Sequence, residues 1–253
     1  MATHPATNSL ERALALMGMV AQETGGLTNA EISRRMGMAP SSCSYILSRL
    51  EREEYVRRDK ETGKYRIGMR LVELAYGALQ TVGHRPIVEP ALHALVERTR
   101  LTGLIAVWVR GCAVVIEKVE SPESIKLDVD LGYPLHAHSS ALGKVLLAHR
   151  PSGEIDQFIK DYGLPRRTAN TITSKSRLLQ ELEAVRARKY ATSNEEEFLD
   201  GRAVAAPIVD ELGNVCAAVS AAGPTAHPIW KYPEDAIHSV RTAAREISRR
   251  WRV

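Results

Sequence analysis

Apolar residues near the start of the chain recur three and four positions apart in three short bursts, the spacing of helices that each bury one stripe. The first burst predicts a helix over 9–23, capped by Asn8 or Ser9, with Leu10, Leu14, Met17 and Ala21 facing inward and an end at Gly25-Gly26. The second puts Ile32 and Met36 on one face, with small Ser33 where another helix can cross closely. In the third, Cys43, Ile46, Leu47 and Leu50 follow the i, i+3, i+4, i+7 rule, and Pro40 suits a first helical turn, where its missing N–H is not needed. Gly37 supplies the turn between the second and third helices. Two short strands are predicted next, over 55–58 and 64–67, around the polar turn Lys60-Glu61-Thr62-Gly63. The helical period returns in MRLVELAYGALQTV, where Met69, Val72, Tyr76 and Leu79 share one side and Leu71, Leu74 and Ala75 lie beside it. That much apolar surface requires a partner, and a second copy of the chain is the expected one.

Gly83-His84-Arg85-Pro86 breaks the pattern, and beyond it helical and strand signals alternate. Helices are predicted over 87–99, 141–149, 152–161, 174–189 and 233–252, and strands over 104–109, 112–119, 190–192, 204–209 and 215–222. Ile125, Leu127, Val129 and Leu131 alternate with Lys126, Asp128 and Asp130, which predicts a further, half-exposed strand. Strand hairpins interleaved with helices imply a mixed α/β domain with a mostly antiparallel sheet covered by helices. The expected organisation is a small helical unit with a hairpin over 1–68, a linker helix over 69–84 and a larger α/β domain over 85–253.

Two helices joined by a glycine turn and followed by a β-hairpin form a winged helix-turn-helix, which lays its second helix against DNA. An αα-hairpin without function is the plain alternative, and the solvent face argues against it. That face carries Ser41, Ser42, Ser44, Tyr45, Ser48, Arg49 and Arg52, hydroxyls and guanidiniums that reach phosphates and base edges, where a merely solvated helix would carry Glu and Lys. Charge strengthens the reading. Between Ile32 and Arg70, ten basic residues stand against five acidic ones, a net +5, whereas the whole chain is only +4. The basic excess is thus concentrated on the hairpin and its neighbours, as a phosphate-binding face requires.

Composition is that of an ordinary globular protein, 44% hydrophobic and 25% charged. No apolar run approaches the roughly 18 residues of a membrane span and no leader pattern opens the chain, so no membrane partner and a cytoplasmic location are expected. Cys43, Cys112 and Cys216 are far apart and unpaired in pattern, which suits reduced, buried thiols.

An α/β domain behind a DNA-binding unit is most economically a sensor of a small molecule. In YPLHAHSSALGKVLLAH, Ser139 and Ser140 stand where a loop turns into a helix, and free amides and hydroxyls there suit a carboxylate or another small anion. A plain N-cap serine is the competing reading. Ser193-Asn194-Glu195-Glu196-Glu197 forms a second polar cluster, readable also as a solvated acidic loop. His136-x-His138 lacks a third metal ligand at a convincing spacing, so no metal is expected. Gly143-Lys144 has His138 where a phosphate loop needs glycine and Val145 where it needs Ser or Thr. No nucleophile-elbow or dinucleotide motif occurs, and the chain is expected to be no enzyme and to carry no cofactor.

The order of these motifs resembles the IclR family of bacterial transcription regulators over nearly the whole chain. The matching pieces are SLERALALM, the helix-turn-helix, EEYVRRDKETGKYRIGMRLVEL, VIEKVESPE, PLHAHSSALGKVLLA, NTIT before a helix, and RAVAAPIVDELGNVCAAVSAAGP. The resemblance implies a winged helix at the N-terminus and a GAF-like effector domain at the C-terminus, assembled as a homodimer or tetramer, that controls operons of small-molecule catabolism. It implies that Pro40, Ser41, Ser42, Ser44, Tyr45 and Arg49 on the recognition helix, with Arg57, Arg58, Lys64 and Arg66 on the wing, meet a double-stranded DNA operator. For the effector it implies Ser139, Ser140 and Ala141 at the helix start, Ser193 and Asn194 in the acidic loop, Ala203, and Ser220 and Ala222 on the last strand. The family commonly has Arg at Tyr45, an acid at Ser193, Cys at Ala203 and Ser at Ala222. A pocket less polar than usual follows, suited to an organic acid larger or more apolar than a two- or three-carbon oxoacid, such as an aromatic one. A ligand-independent oligomeric repressor and an enzyme with a DNA-binding appendage are the alternatives.

Overall fold

The computed structural model describes residues 8–81 and 85–251, without the side chains at 76, 78–81 and 85–87. The chain forms two compact units that divide near residue 83.

In the first unit, α1 (Ser9–Ala21), α2 (Asn29–Met36) and α3 (Pro40–Arg52) precede β1 (Val56–Arg58), β2 (Tyr65–Ile67) and α4 (Arg70–Thr81). A T-x-x-E capping box starts α2: the Thr28 hydroxyl accepts from the Glu31 amide at 3.3 Å, and the Glu31 carboxylate accepts from the Thr28 amide at 2.8 Å. Gly37, in the left-handed region at φ +61°, ends that helix and turns the chain into α3. Leu16, Val20, Leu27, Ile32, Cys43, Ile46, Leu47, Val56 and Tyr65 form the core. The hairpin pairs Val56 with Ile67 and Arg58 with Tyr65. Leu27 and Tyr65 exchange backbone bonds of 3.0 and 2.7 Å, which ties the hairpin to the segment before α2. Gly68 follows it, and a Cβ there would stand 2.0 Å from the Glu54 carbonyl oxygen, so only glycine permits that crossing.

The inward face of α1 differs from the predicted one. Leu16 and Val20 are buried, whereas Leu10 and Leu14 are 69% and 51% exposed and Ala21 is exposed. The segment LERALALMGMVA is apolar on most of its circumference, so its period cannot select a face; packing against α2 and α3 does. Met69, Val72 and Leu74 also lie exposed beside and on α4. The predicted roles of Tyr76 and Leu79 and the breakpoint at Gly83-His84 fall outside the described residues.

The second unit runs α5 (Arg85–Thr99), β3 (Thr102–Val109), β4 (Cys112–Val119), β5 (Pro134–His136), α6 (Ala141–Ala148), α7 (Ser152–Tyr162), α8 (Lys175–Arg188), β6 (Ala191–Asn194), β7 (Gly201–Val209), β8 (Val215–Pro224) and α9 (Pro233–Ser248). Its six strands form one sheet in the order β5-β4-β3-β8-β7-β6, every neighbour antiparallel. Strand alternation sorts the core into two layers. Leu104, Ala106, Ala205 and Ala218 face α6 and α8, while Ile105, Val204, Ala206 and Val219 face α5 and α9.

No strand forms over 125–131. β5 pairs with Cys112–Val114 at the edge of β4, and the segment before it forms no ladder with the rest of that strand. Its alternation survives in part, with Val129 buried, Leu127 half-buried and Lys126, Asp128 and Asp130 exposed, but Ile125 and Leu131 are 77% and 58% exposed. Ion pairs fasten it: Lys118 Nζ lies 3.0 Å from Asp128 and 3.1 Å from Glu120, and Lys126 pairs with Glu120. The pattern reported two-sidedness, which a strapped loop satisfies as well as a strand.

Candidate functional site

The first unit presents one polar, basic face. Cys43, Ile46 and Leu47 hold α3 on the core, which leaves Ser41, Ser42, Ser44, Tyr45, Ser48 and Arg49 in solvent. Ala39 provides no side-chain cap and Pro40 occupies the first turn, so the positive end of the helix dipole is open to an anion. Arg49 donates to the Tyr45 hydroxyl at 3.1 Å and its guanidinium lies 5.2 Å from that ring, so the two residues occupy each other. On the hairpin, Arg57 and Arg66 are cross-strand partners, both exposed, and the Arg58 guanidinium lies 5.7 Å from the Tyr65 ring. Lys64 is half-buried. The Asp59 carboxylate accepts from the amides of Thr62 and Glu61, which shapes the tip and holds that carboxyl below its usual range. The four hairpin cations predicted from the sequence therefore stand on one short ribbon.

The second unit holds a pocket, open to solvent on one side, between the α6 face of the sheet and the strapped loop. Its walls are mostly aliphatic, from Leu104, Leu127, Val129, Leu135, Leu142, Ala141, Ala203 and Ala222, with Phe198 beside them. Strand parity decides which expected residues reach it. Ser193, Ala203, Ser220 and Ala222 line it with Ser140 and Ala141, whereas Asn194, one residue on, is exposed and Ser139 lies behind the wall. Arg202 also borders the pocket, but its guanidinium is spent over the Trp230 ring, 4.9 Å from the centroid, against the other layer of the core. Ser140 caps α6, accepting from the Gly143 amide at 3.0 Å, and its carbonyl takes the Lys144 amide. The amides of Ala141 and Leu142, first in the helix, have no partner within it. Ser220 is 1% exposed, and its hydroxyl has no hydrogen-bond partner among the described residues.

The acidic cluster is not a solvated loop. Thr168 donates its hydroxyl to the Glu195 carbonyl, and the Thr171 hydroxyl donates to that of Glu196 at 2.7 Å. Lys144, 1% exposed on α6, reaches both Glu196 oxygens at 2.8 and 3.0 Å and lies 3.3 Å from Glu181. Burial raises the Glu196 carboxyl above its usual range, although Lys144 opposes this. Glu197 is buried at the pocket wall, bonded to His136 and Ser139. His138 contacts the Pro165 carbonyl through Nε2 at 3.0 Å, and burial lowers its pKa. The two histidines thus serve separate carbonyl and carboxylate partners, and no group of three metal-ligating side chains is assembled among the described residues. Glu197 was not singled out from the sequence for the pocket. Its signal is only that it sits four residues, two parities, after Ser193 in a stapled loop. Cys43 is buried, while Cys112 and Cys216 are half-buried; burial pushes the Cys216 thiol up to about 11.

Two family models account for most of the chain. One describes the IclR helix-turn-helix domain and matches residues 9–60, and the other describes the C-terminal domain of the bacterial transcriptional regulator IclR and matches residues 77–249. The chain belongs to the IclR family of bacterial transcriptional regulators. The HTH-type transcriptional regulator BhcR of Paracoccus denitrificans is 30% identical over 240 residues, which cover 95% of this chain and 86% of the relative. The crystal structure of the Thermotoga maritima IclR shares 31% identity at a TM-score of 0.69, covering 96% of this chain and 98% of that one. An IclR homologue from Microbacterium hydrocarbonoxydans, solved with 4-hydroxybenzoate, has the same fold at a TM-score of 0.81 and 24% identity, over 96% and 98% of the two chains. In an IclR protein the α3 and hairpin face belongs to the DNA-binding domain and the pocketed α/β unit to the effector domain. No helix among the described residues is long and apolar enough to cross a membrane.

Proposed function

We propose that this regulator binds its operator as a homodimer or a pair of dimers and that an organic acid with an apolar, aromatic body sets its affinity for DNA. The observation that carries the ligand reading is Ser220, a buried hydroxyl at the pocket wall with no protein partner among the described residues. An orphan polar group of that kind costs roughly 1–3 kcal/mol unless a ligand supplies its bond. The Ser220 hydroxyl and the first amides of α6 offer a carboxylate its donors, beside Ser140 and Ser193, whose hydroxyls donate to the His136 and Ser139 carbonyls, and the aliphatic walls accept a ring. The fold shared with a protein that holds 4-hydroxybenzoate supports an aromatic acid. Exposed Leu10 and Leu14 on α1, with Met69, Val72 and Leu74 at α4, support a second copy as the partner of the first unit.

On DNA, Ser41, Ser42 and Ser44 of each copy enter successive major grooves about 34 Å apart, Tyr45 and Arg49 exchange each other for base edges or phosphates, and Arg57, Arg58, Lys64 and Arg66 neutralise the backbone. A hundredfold change in DNA affinity asks the effector to discriminate between two arrangements by about 2.8 kcal/mol, within the usual range of coupling. The target is a catabolic operon for such an acid. Calorimetry of the full chain against benzoate, 4-hydroxybenzoate, pyruvate and glyoxylate tests the ligand class. Micromolar binding of an aromatic acid is the expected result; binding confined to the two- and three-carbon oxoacids would refute it.

A further inference from the structure

The pocket wall carries an ionised group that the proposed ligand reading leaves unused. Glu197 is 5% exposed, yet a buried carboxylate beside aliphatic walls is costly unless hydrogen bonds compensate it. Its Oε1 accepts from the His136 amide at 3.4 Å and from His136 Nδ1 at 2.9 Å, and its Oε2 accepts from the Ser139 hydroxyl. A carboxylate has about four acceptor positions, so these three donors leave one open. Burial opposes ionisation, but the bonds from His136 and Ser139 outweigh it and keep the carboxyl below the ordinary glutamate range. His136, 2.9 Å away through Nδ1, pairs with it, whereas Lys144 is committed to Glu196 and Glu181 and the Arg202 guanidinium lies over the Trp230 ring. The group facing the cavity is therefore an acceptor that cannot donate, and it repels a like charge.

We propose that Glu197 is a specificity-determining residue of the pocket, which accepts a hydrogen bond from a hydroxyl group of the effector and disfavours acids that lack one. The proposal rests on the pocket being the effector site. It sorts the two ends of a hydroxy acid: the carboxylate is driven from Glu197 to other donors, and the hydroxyl is drawn to it. Sites built to bond a hydroxyl discriminate strongly against analogues without it, because their own buried polar group is then left unpaired.

The test is calorimetry on the full chain with benzoate and its 3- and 4-hydroxy derivatives, for the wild type, Glu197→Leu and Glu197→Gln. At least one hydroxylated acid is expected to bind the wild type roughly tenfold to a hundredfold more tightly than benzoate. Glu197→Leu is expected to tighten benzoate and weaken the hydroxy acid, with Glu197→Gln between; a purely structural role would weaken both alike. Equal wild-type affinity for plain and hydroxylated acids overturns the assignment, even if Glu197→Leu does not fold, and so does a proportional loss for both. If no acid binds the wild type at all, the acid-pocket reading fails first and this proposal with it.

Discussion

Ser220→Ala is expected to move stability and effector binding in opposite directions. The Ser220 side chain is 1% exposed on β8, its hydroxyl has no protein partner among the described residues, and it borders the pocket. Burying an unsatisfied hydroxyl costs roughly 1–3 kcal/mol, and alanine removes that cost while giving up only one heavy atom of packing. A gain of about 1 kcal/mol follows for the unliganded protein, which raises the Tm of a unit this size by roughly 2–4 °C. If the effector carboxylate takes the Ser220 hydroxyl, the variant loses a charge-assisted bond of about 1.5–3 kcal/mol, roughly a tenfold to a hundredfold loss of affinity. Scanning calorimetry without ligand and titration calorimetry with 4-hydroxybenzoate read the two effects on one preparation. A Tm lowered by several degrees together with unchanged affinity would refute the reasoning, for the hydroxyl would then be satisfied within the protein and irrelevant to the ligand.

Lys144→Met leaves the buried Glu196 without its cation while Glu181 keeps Arg188, so denaturant unfolding should show a loss of about 3–5 kcal/mol, part of it recovered by adding Glu196→Gln. Because the folded Glu197 carboxyl lies below its ordinary value of 4.5, its contribution to stability is present above that pH and is lost as the pH falls through the folded value. Glu197→Gln should therefore flatten the acid limb of Tm against pH, and an unaltered limb would contradict the assignment. Arg58→Ala and Lys64→Ala are expected to weaken binding to every duplex and to reduce the salt slope by about 0.9 for each phosphate that is no longer neutralised. Ser42→Ala should change sequence preference instead, so equal losses on operator and random DNA would count against a base-reading role.

Local periodicity carried most of the first unit. Cys43, Ile46 and Leu47 marked the buried stripe of α3, and its complement was the serine and arginine face. The same rule failed on α1, whose apolar residues nearly encircle the helix, and on 125–131, whose alternation came from a loop strapped by Lys118 and Lys126. In the pocket, parity along β7 and β8 placed Ala203, Ser220 and Ala222 on one face and turned the Arg202 guanidinium, though that residue borders the pocket, toward Trp230 in the other layer. What escaped the sequence was the fate of Glu196 and Glu197. Their partners, Lys144, His136 and Ser139, stand 52 to 61 residues away, and a run of three glutamates reads as solvated until the fold closes that distance.

Central to all of this is that occupancy of the pocket changes DNA affinity. The most direct measurement is fluorescence anisotropy of the full chain on a duplex selected by the protein from a random library, with and without saturating 4-hydroxybenzoate. A change in Kd of roughly a hundredfold is predicted, with Ser220→Ala requiring more acid to reach it. An unchanged Kd at acid concentrations where calorimetry shows the pocket filled would contradict effector control.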